Sequence, residues 1–218
     1  MNIDVIVTSC SRPDVLDITI KSFKKYLKTG HDLRWVIVDD FVKDAKRREK
    51  GRNWIKKNEK LFDEIVLHKG NFGKGRWWQE SIKYCKSDYH IHLEDDNEFI
   101  RTVKIDPVIN YMVANDDVLE VIFSRGKLHK RVKPNRIKIE NMKLTEMDSV
   151  SMASGLYNTK NVRTLFDNIG WDEIMHEAGN LAPMSKKLGY KKFMMGHGNK
   201  HYNHIGAQRG YKKGAWKK

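Results

Sequence analysis

Three consecutive carboxylates, Glu94-Asp95-Asp96, follow directly on the run Tyr89-His-Ile-His-Leu93. A strand over that run delivers them at its carboxyl end, with Glu94 and Asp96 on one face and Asp95 on the other. Hard divalent ions such as Mg²⁺ or Mn²⁺ bind one or two carboxylates and complete their shell with substrate phosphate oxygens. The triplet is therefore a candidate grip for a metal and a nucleoside diphosphate. The competing reading is a solvated acidic turn, which the apolar strand immediately ahead of it disfavours.

Polar groups recur at equivalent places along the first half of the chain. Ile3 to Thr8 leads into Ser9-Cys10-Ser11-Arg12, Leu33 to Asp39 into Asp40, and Ile65 to His68 into a stretch that carries Gly70, Gly73 and Gly75. These short apolar runs read as strands. Between them, Leu16, Ile20, Phe23 and Leu27 step along one helix face, with Ser11 a candidate cap and Pro13 just inside the first turn. Lys43 to Leu61 is a charged or broken helix, and Arg76 to Cys85 a third helix. The strand ends at Thr8, Asp39, His68 and Glu94 are 31, 29 and 26 residues apart, about one βαβ repeat. The expectation is an α/β fold with a mostly parallel central sheet flanked by helices. Its ligands would lie outside the strands' carboxyl ends, where the polar groups fall.

Past residue 100 the pattern is less regular. Val118 to Phe123 reads as a strand and Arg136 to Glu140 as a weaker one. Val162 to Ile169, Trp171 to Gly179 and Pro183 to Leu188 read as short helices, the first and last closed by Gly170 and Gly189. No G-x-G-x-x-G follows the first strand, and no G-x-x-x-x-G-K-[ST] or G-x-S-x-G is present. Dinucleotide-dependent, P-loop and common serine hydrolase chemistries are thereby disfavoured.

A chain of 218 residues is the size of one domain. The expected division is a regular α/β half over 1–100, an elaboration of the same domain over 101–205 and a basic tail over 206–218. Cys10 and Cys85 match no disulfide framework or zinc spacing and read as small buried side chains, so a reducing cytoplasm is the expected compartment. No apolar run approaches a membrane span, and no apolar signal region opens the sequence. Charge is the outlier, at +14. Nine basic residues face three acidic ones from Lys43 to Lys60, eight face one from Arg125 to Lys143, and no acidic residue follows Glu177. Solvated lysine faces are one reading; a polyanionic partner is the other.

Taken in order, Val5-Ile-Val-Thr-Ser-Cys-Ser-Arg-Pro-Asp14, Val36-Ile-Val-Asp-Asp40, Asn71-Phe-Gly-Lys-Gly-Arg76 and Leu93-Glu-Asp-Asp96 resemble the landmarks of GT-A (Rossmann-like) nucleotide-diphospho-sugar transferases, close to inverting family 2. The resemblance is good over residues 3 to about 100. It extends loosely to Ser154-Gly155, Trp171-Asp172-Glu173, Glu177 and Leu188-Gly189-Tyr190. It implies a metal-dependent glycosyltransferase with a nucleotide-sugar donor of uridine type and Mn²⁺ or Mg²⁺ as cofactor. By that resemblance Thr8, Ser11 and Arg12 line the nucleotide pocket with Asp40 beside them, Asp39 accepts from the nucleobase imide, and Arg76 lies near the pyrophosphate. Asp95 would contact the ribose and Asp96 the metal, with His204 a further metal or phosphate contact and His197 and His201 in reserve. One of Asp172, Glu173 and Glu177 would be the base that takes the acceptor's proton, Glu177 first among them, although Asp172 and Glu173 also suit a helix's first turn. The sequence departs from the family where the acidic motif opens with Glu94 and where Phe41 follows Asp39-Asp40.

The charge suggests the acceptor. Some viral glycosyltransferases act on hydroxymethylated bases in DNA, and the basic clusters would neutralise its phosphates. An extruded base would need a stacking partner, for which Trp54, Trp77, Trp78, Trp171 and Trp216 are available, though tryptophans serve more often as core. The alternatives are a cell-surface glycan or lipopolysaccharide acceptor, with the tail on anionic membrane, and a non-catalytic polyanion-binding module. The carboxylate triplet argues against the last, because a polyanion binder gains nothing from it.

Overall fold

The structure is a computed structural model that describes residues 1–70, 74–126, 132–169, 181–196 and 199–206. Its first half alternates strand and helix: β1 (Asn2–Ser9), α1 (Pro13–Tyr26), β2 (Leu27–Lys28), β3 (Asp32–Asp39), α2 (Ala45–Lys57), β4 (Glu64–Leu67), α3 (Lys74–Ile82) and β5 (Tyr89–Glu94). A 3₁₀ turn at Glu59–Leu61 follows α2, so the charged segment from Lys43 is a broken helix. The second half adds β6 (Asn97–Phe99), β7 (Val103–Lys104), α4 (Asp106–Ala114), β8 (Val118–Ile122), β9 (Val132–Ile139), β10 (Met142–Met147), β11 (Gly155–Asn158), α5 (Thr159–Asp167), α6 (Leu181–Lys187), β12 (Lys191–Met195) and β13 (Tyr202–His204).

One nine-stranded sheet runs in the order β4-β3-β1-β5-β11-β8-β12-β10-β9. The four first-half strands of this sheet, β4, β3, β1 and β5, are mutually parallel, as the repeat spacing requires. The second half adds antiparallel pairings and one parallel pair, β8 with β12. Successive β1 side chains alternate between the two faces. Ile3, Val5 and Val7 join Leu16, Ile20 and Phe23 of α1, Ile55 of α2 and Val108, Ile109 and Met112 of α4. Ile6 faces Trp77, Trp78 and Ile82 of α3 and Val162, Leu165 and Phe166 of α5. Helices thus cover both faces, in the three-layer architecture expected of parallel strands.

The chain runs outward from β1 to β3 and β4, then returns to lay β5 on the other side of β1. The switch point lies between the carboxyl ends of β1 and β5, where the turns at Cys10–Arg12 and Asp95–Asp96 face each other. Cys10 and Cys85 are free, buried thiols. Trp77 and Trp78 are core, 7% and 1% exposed, which removes them as stacking platforms for a base. Trp54 is half-buried against the α1 face, and Trp171 and Trp216 lie outside the described residues. Among the described residues no helix is long and apolar enough to cross a membrane.

Candidate functional site

The site is built on a strained turn. Ser11 holds φ 53°, a left-handed conformation that costs a non-glycine residue of order 1 kcal/mol and persists only where its surroundings fix it. Its N–H donates to Asp39 Oδ1 (2.9 Å) and its hydroxyl to Asp39 Oδ2 (3.1 Å). The hydroxyl therefore does not cap α1, whose first turn begins behind Arg12 without a side-chain cap. Asp39 is fully buried, and burial pushes its carboxyl up to about 6 against the Ser11 bonds. Asp39, expected at the nucleobase, accepts both Ser11 bonds and so shapes the turn. α2 braces the other side: a Cβ at Gly51 would lie 2.6 Å from Ser11 Cα, and Arg47 donates to the Cys10 carbonyl (2.8 Å).

Arg12 leaves this turn and spans both carboxylates at the end of β5. Its Nε donates to Asp95 Oδ2 (3.2 Å), its Nη2 pairs with Asp95 Oδ1, and its Nη1 lies 2.8 Å from Asp96 Oδ2. β5 ends at Glu94 and the chain turns at once, so the strand alternation expected to separate Asp95 from Asp96 stops before it applies. Asp95 also accepts the Cys10 N–H (2.9 Å), and both of its oxygens are held by the turn it faces. Burial, then Asp95 and Glu94, push the Asp96 carboxyl upward against the pull of Arg12. Burial works against the Arg12 charge, yet Asp95 and Asp96 hold the guanidinium above its ordinary range.

Asp96 is reached from the far end of the chain. β13 pairs antiparallel with β6, setting His204 opposite Asn97, and the Ile205 N–H donates to the Asp96 carbonyl (2.8 Å). His204 Nε2 comes to 3.3 Å from Asp96 Oδ2. A Cβ at Gly206 would collide with that oxygen and lie 2.7 Å from Arg12 Nη1. Of the reserve histidines, His201 is structural: its Nδ1 accepts the Ser124 N–H (3.1 Å), and burial holds it neutral with a pKa of about 4. His197 lies outside the described residues.

The remaining expected residues divide. Thr8 is buried, with its hydroxyl 2.8 Å from His92 Nε2 and donating to the Leu93 carbonyl (3.2 Å). It joins β1 to β5. Asp40 is buried beside His68, whose Nδ1 lies 4.0 Å from its Oδ1. Arg48 stacks over Phe41 at 4.3 Å, and Arg52 donates to the His68 carbonyl (2.6 Å). These groups form a mixed aromatic and cationic wall beyond the β3 end. Arg76 falls in the first turn of α3. Asp172, Glu173 and Glu177 lie outside the described residues. Sequence reasoning missed Arg125, which donates to Glu94 (2.9 Å) and Tyr202 (2.9 Å). Ser154, placed there only in the loose family likeness, accepts the Glu94 N–H (3.0 Å) and an Asn97 amide N–H (2.7 Å) through its hydroxyl. No local motif signals Arg125; it follows β8, as Ser154 precedes β11.

Asp96 and His204 suit a hard or borderline divalent ion, being one carboxylate and one imidazole aimed at the same point. Arg12 Nη1 approaches the same Asp96 oxygen, and only a residue without a side chain fits beside it at Gly206. Among the described residues no cluster of three or more His, Cys, Asp or Glu forms a closed cage. A donor set of two leaves coordination positions for phosphate oxygens, as such ions use them.

The Glycosyl transferase family 2 model matches residues 4–188. No curated protein matches the chain in sequence. Among solved structures, S. aureus TarS 1-349 is similar with a TM-score of 0.63 at 11% identity, over 93% of this chain and 59% of that one. GalNAc-T7 with UDP, GalNAc and Mn²⁺ aligns with a TM-score of 0.63 at 14% identity, over 88% and 42%. The mannosyltransferase PcManGT from Pyrobaculum calidifontis, in complex with GDP-Man and Mn²⁺, aligns with a TM-score of 0.56 at 14% identity, over 87% and 53%. At these identities the likeness is one of fold, and the chain spans 59% of TarS 1-349 and less of the other two.

Proposed function

The chain belongs to glycosyl transferase family 2, and on that premise we propose that it moves a sugar from a nucleoside diphosphate donor, of uridine type, to an acceptor hydroxyl. The observation that carries the reading is Arg12 bridging Asp95 and Asp96 at the β1/β5 switch point, with His204 brought to the same oxygen. Cationic and metal-ligating groups meet there at the edge of a parallel sheet, where diphosphates bind. The uridine assignment is supported by the UDP in the GalNAc-T7 structure, against the GDP-Man of PcManGT.

Asp96 and His204 would hold Mn²⁺ or Mg²⁺, which when bound supplies positive charge to the departing diphosphate. Arg12 adds a second, permanent cation on the same side of the leaving group, where charge develops as the glycosidic bond breaks. Asp95 fixes the guanidinium plane, and Asp39 fixes the Ser11 turn from which Arg12 projects. The wall of Phe41, Arg48 and Arg52 with Asp40 would receive the base, and Arg76 would lie by the pyrophosphate. Glu177, or else Asp172 or Glu173, would take the acceptor proton; the family resemblance alone supports that assignment. Residues 1–100 would thus bind the donor and 101–205 the acceptor.

For the acceptor we propose a polyanion, with DNA carrying a hydroxylated base as the sharpest case. The support is the net charge of +14 and the face of α2 that exposes Lys46, Lys50 and Lys57. Release of UDP or GDP from a panel of nucleotide sugars, with Mn²⁺ and with or without hydroxymethylated DNA, tests donor and acceptor together. DNA-stimulated release supports the full proposal. Release that is stimulated by a surface glycan and not by DNA replaces the acceptor. No release from any donor with any acceptor removes the catalytic reading.

A further inference from the structure

Arg12 occupies the place that a divalent ion would need. Its guanidinium is anchored on Asp95 through Nε and Nη2, and Asp95 is itself held by the Cys10 N–H. Only the third nitrogen, Nη1, reaches Asp96. Both partners are sheltered, the Arg12 side chain 11% and the Asp96 side chain 6% exposed, so charges here interact far more strongly than in water. His204 and Gly206 close on the same Oδ2. That oxygen cannot serve Nη1 and a metal ion together without two cations meeting at close range.

We propose that Arg12 is a resident counter-ion which competes with the metal for Asp96, and that donor diphosphate relieves the competition. Metal and donor then bind with positive cooperativity. The proposal rests on the donor and metal site described above and adds a role for Arg12 within it. The fork geometry makes the exchange a small movement. The two anchoring bonds to Asp95 stay, and one arm swings from Asp96 to a phosphate oxygen, an acceptor that guanidinium matches well. By linkage, the factor by which bound donor raises metal affinity is the factor by which bound metal raises donor affinity. Arg12 is on this account a donor-binding residue that keeps the carboxylates neutralised until both ligands are present.

The test is a titration of Mn²⁺ followed by electron paramagnetic resonance of the free ion, with and without saturating UDP. Wild type is compared with Arg12→Gln, Arg12→Lys and Arg125→Gln. Wild type is expected to bind Mn²⁺ weakly alone and roughly tenfold more tightly with UDP, within the usual range of coupling. Arg12→Gln should bind Mn²⁺ alone roughly tenfold more tightly than wild type, and its gain from UDP should shrink several-fold. Arg12→Lys keeps a positive charge for Asp95 but has no second arm for Asp96, so its Mn²⁺ affinity alone should rise less than in Arg12→Gln and its gain from UDP should shrink less. Arg125→Gln removes an equal charge that is ion-paired with Glu94 and acts on Asp96 only through space; it should change Mn²⁺ affinity less and keep the UDP gain. Unchanged or weaker Mn²⁺ binding in both Arg12 variants overturns the proposal, as does an equal rise in Arg125→Gln. If wild type and all variants bind neither Mn²⁺ nor UDP, the donor-site reading falls and takes this proposal with it.

Discussion

Ser11 and Asp39 show how much of the site is spent on holding its own shape. The left-handed Ser11 is kept in place by a carboxylate with no exposed surface. Asp39→Ala would leave a buried N–H without an acceptor, at a cost of about 1–3 kcal/mol, readable as a lower urea midpoint. Donor affinity should fall further than that loss explains, because Arg12 leaves the same turn. Unchanged stability in Asp39→Ala would show that the turn holds without its carboxylate. At this scale the sequence was legible by residue type and place: hydroxyls, carboxylates and a cation at successive strand ends. Individual roles were less so. Thr8 and Asp39 have the right chemistry for a ligand but face inward, and side-chain direction at a strand end depends on neighbours that local sequence does not name. Among the late histidines, the β6/β13 register decides that His204 meets Asp96 while His201 turns to Ser124.

The approach of α2 to the β1 turn depends on Gly51. Glycine inside a helix is about 1 kcal/mol worse than alanine, so propensity alone favours Gly51→Ala. The added Cβ would lie 2.6 Å from Ser11 Cα and 2.7 Å from Ser11 Cβ, and overpacking of that kind costs about 1–3 kcal/mol. The clash should win: Gly51→Ala is expected to lower the melting temperature and weaken UDP binding, and a stabilised variant with intact binding would contradict the packing described. A second element-scale prediction concerns β8. Glu120 is buried opposite Lys192 of β12, accepts the Ser151 N–H (2.7 Å), and is pushed by burial up to about 8 from 4.5. Its folded-state value lies above the unfolded one, so its contribution is full below about pH 4.5 and is lost as pH rises towards about 8. Glu120→Gln cannot titrate, and its stability relative to wild type should improve steadily between pH 5 and 8; a constant difference would show that Glu120 does not titrate there. This corner of the fold was the least legible. β12 opens with two lysines, of which Lys192 is buried with its Nζ donating to Ser185 (2.9 Å), while β11 has four residues, too few to show a period. The first-half elements were legible because parallel strands buried on both faces read as plain apolar runs.

For the molecule as a whole, the excess of positive charge is the property most directly tied to a partner. The exposed α2 lysines at positions 46, 50 and 57 lie on one helix face, and phosphate neutralisation makes affinity fall steeply with salt. DNA binding measured by fluorescence anisotropy should weaken at least about tenfold between 50 and 200 mM salt, and indifference to DNA at low salt would exclude DNA as the acceptor. Composition made the charge visible at once; only the fold shows α2 flanking the donor side. The central claim is narrower and can be tested alone. Calorimetric titration of UDP into the protein, with and without Mn²⁺, is the most direct measurement. The account predicts tight binding only with the metal, and its loss in Asp96→Asn while the fold is retained; UDP binding indifferent to both Mn²⁺ and Asp96 would contradict it.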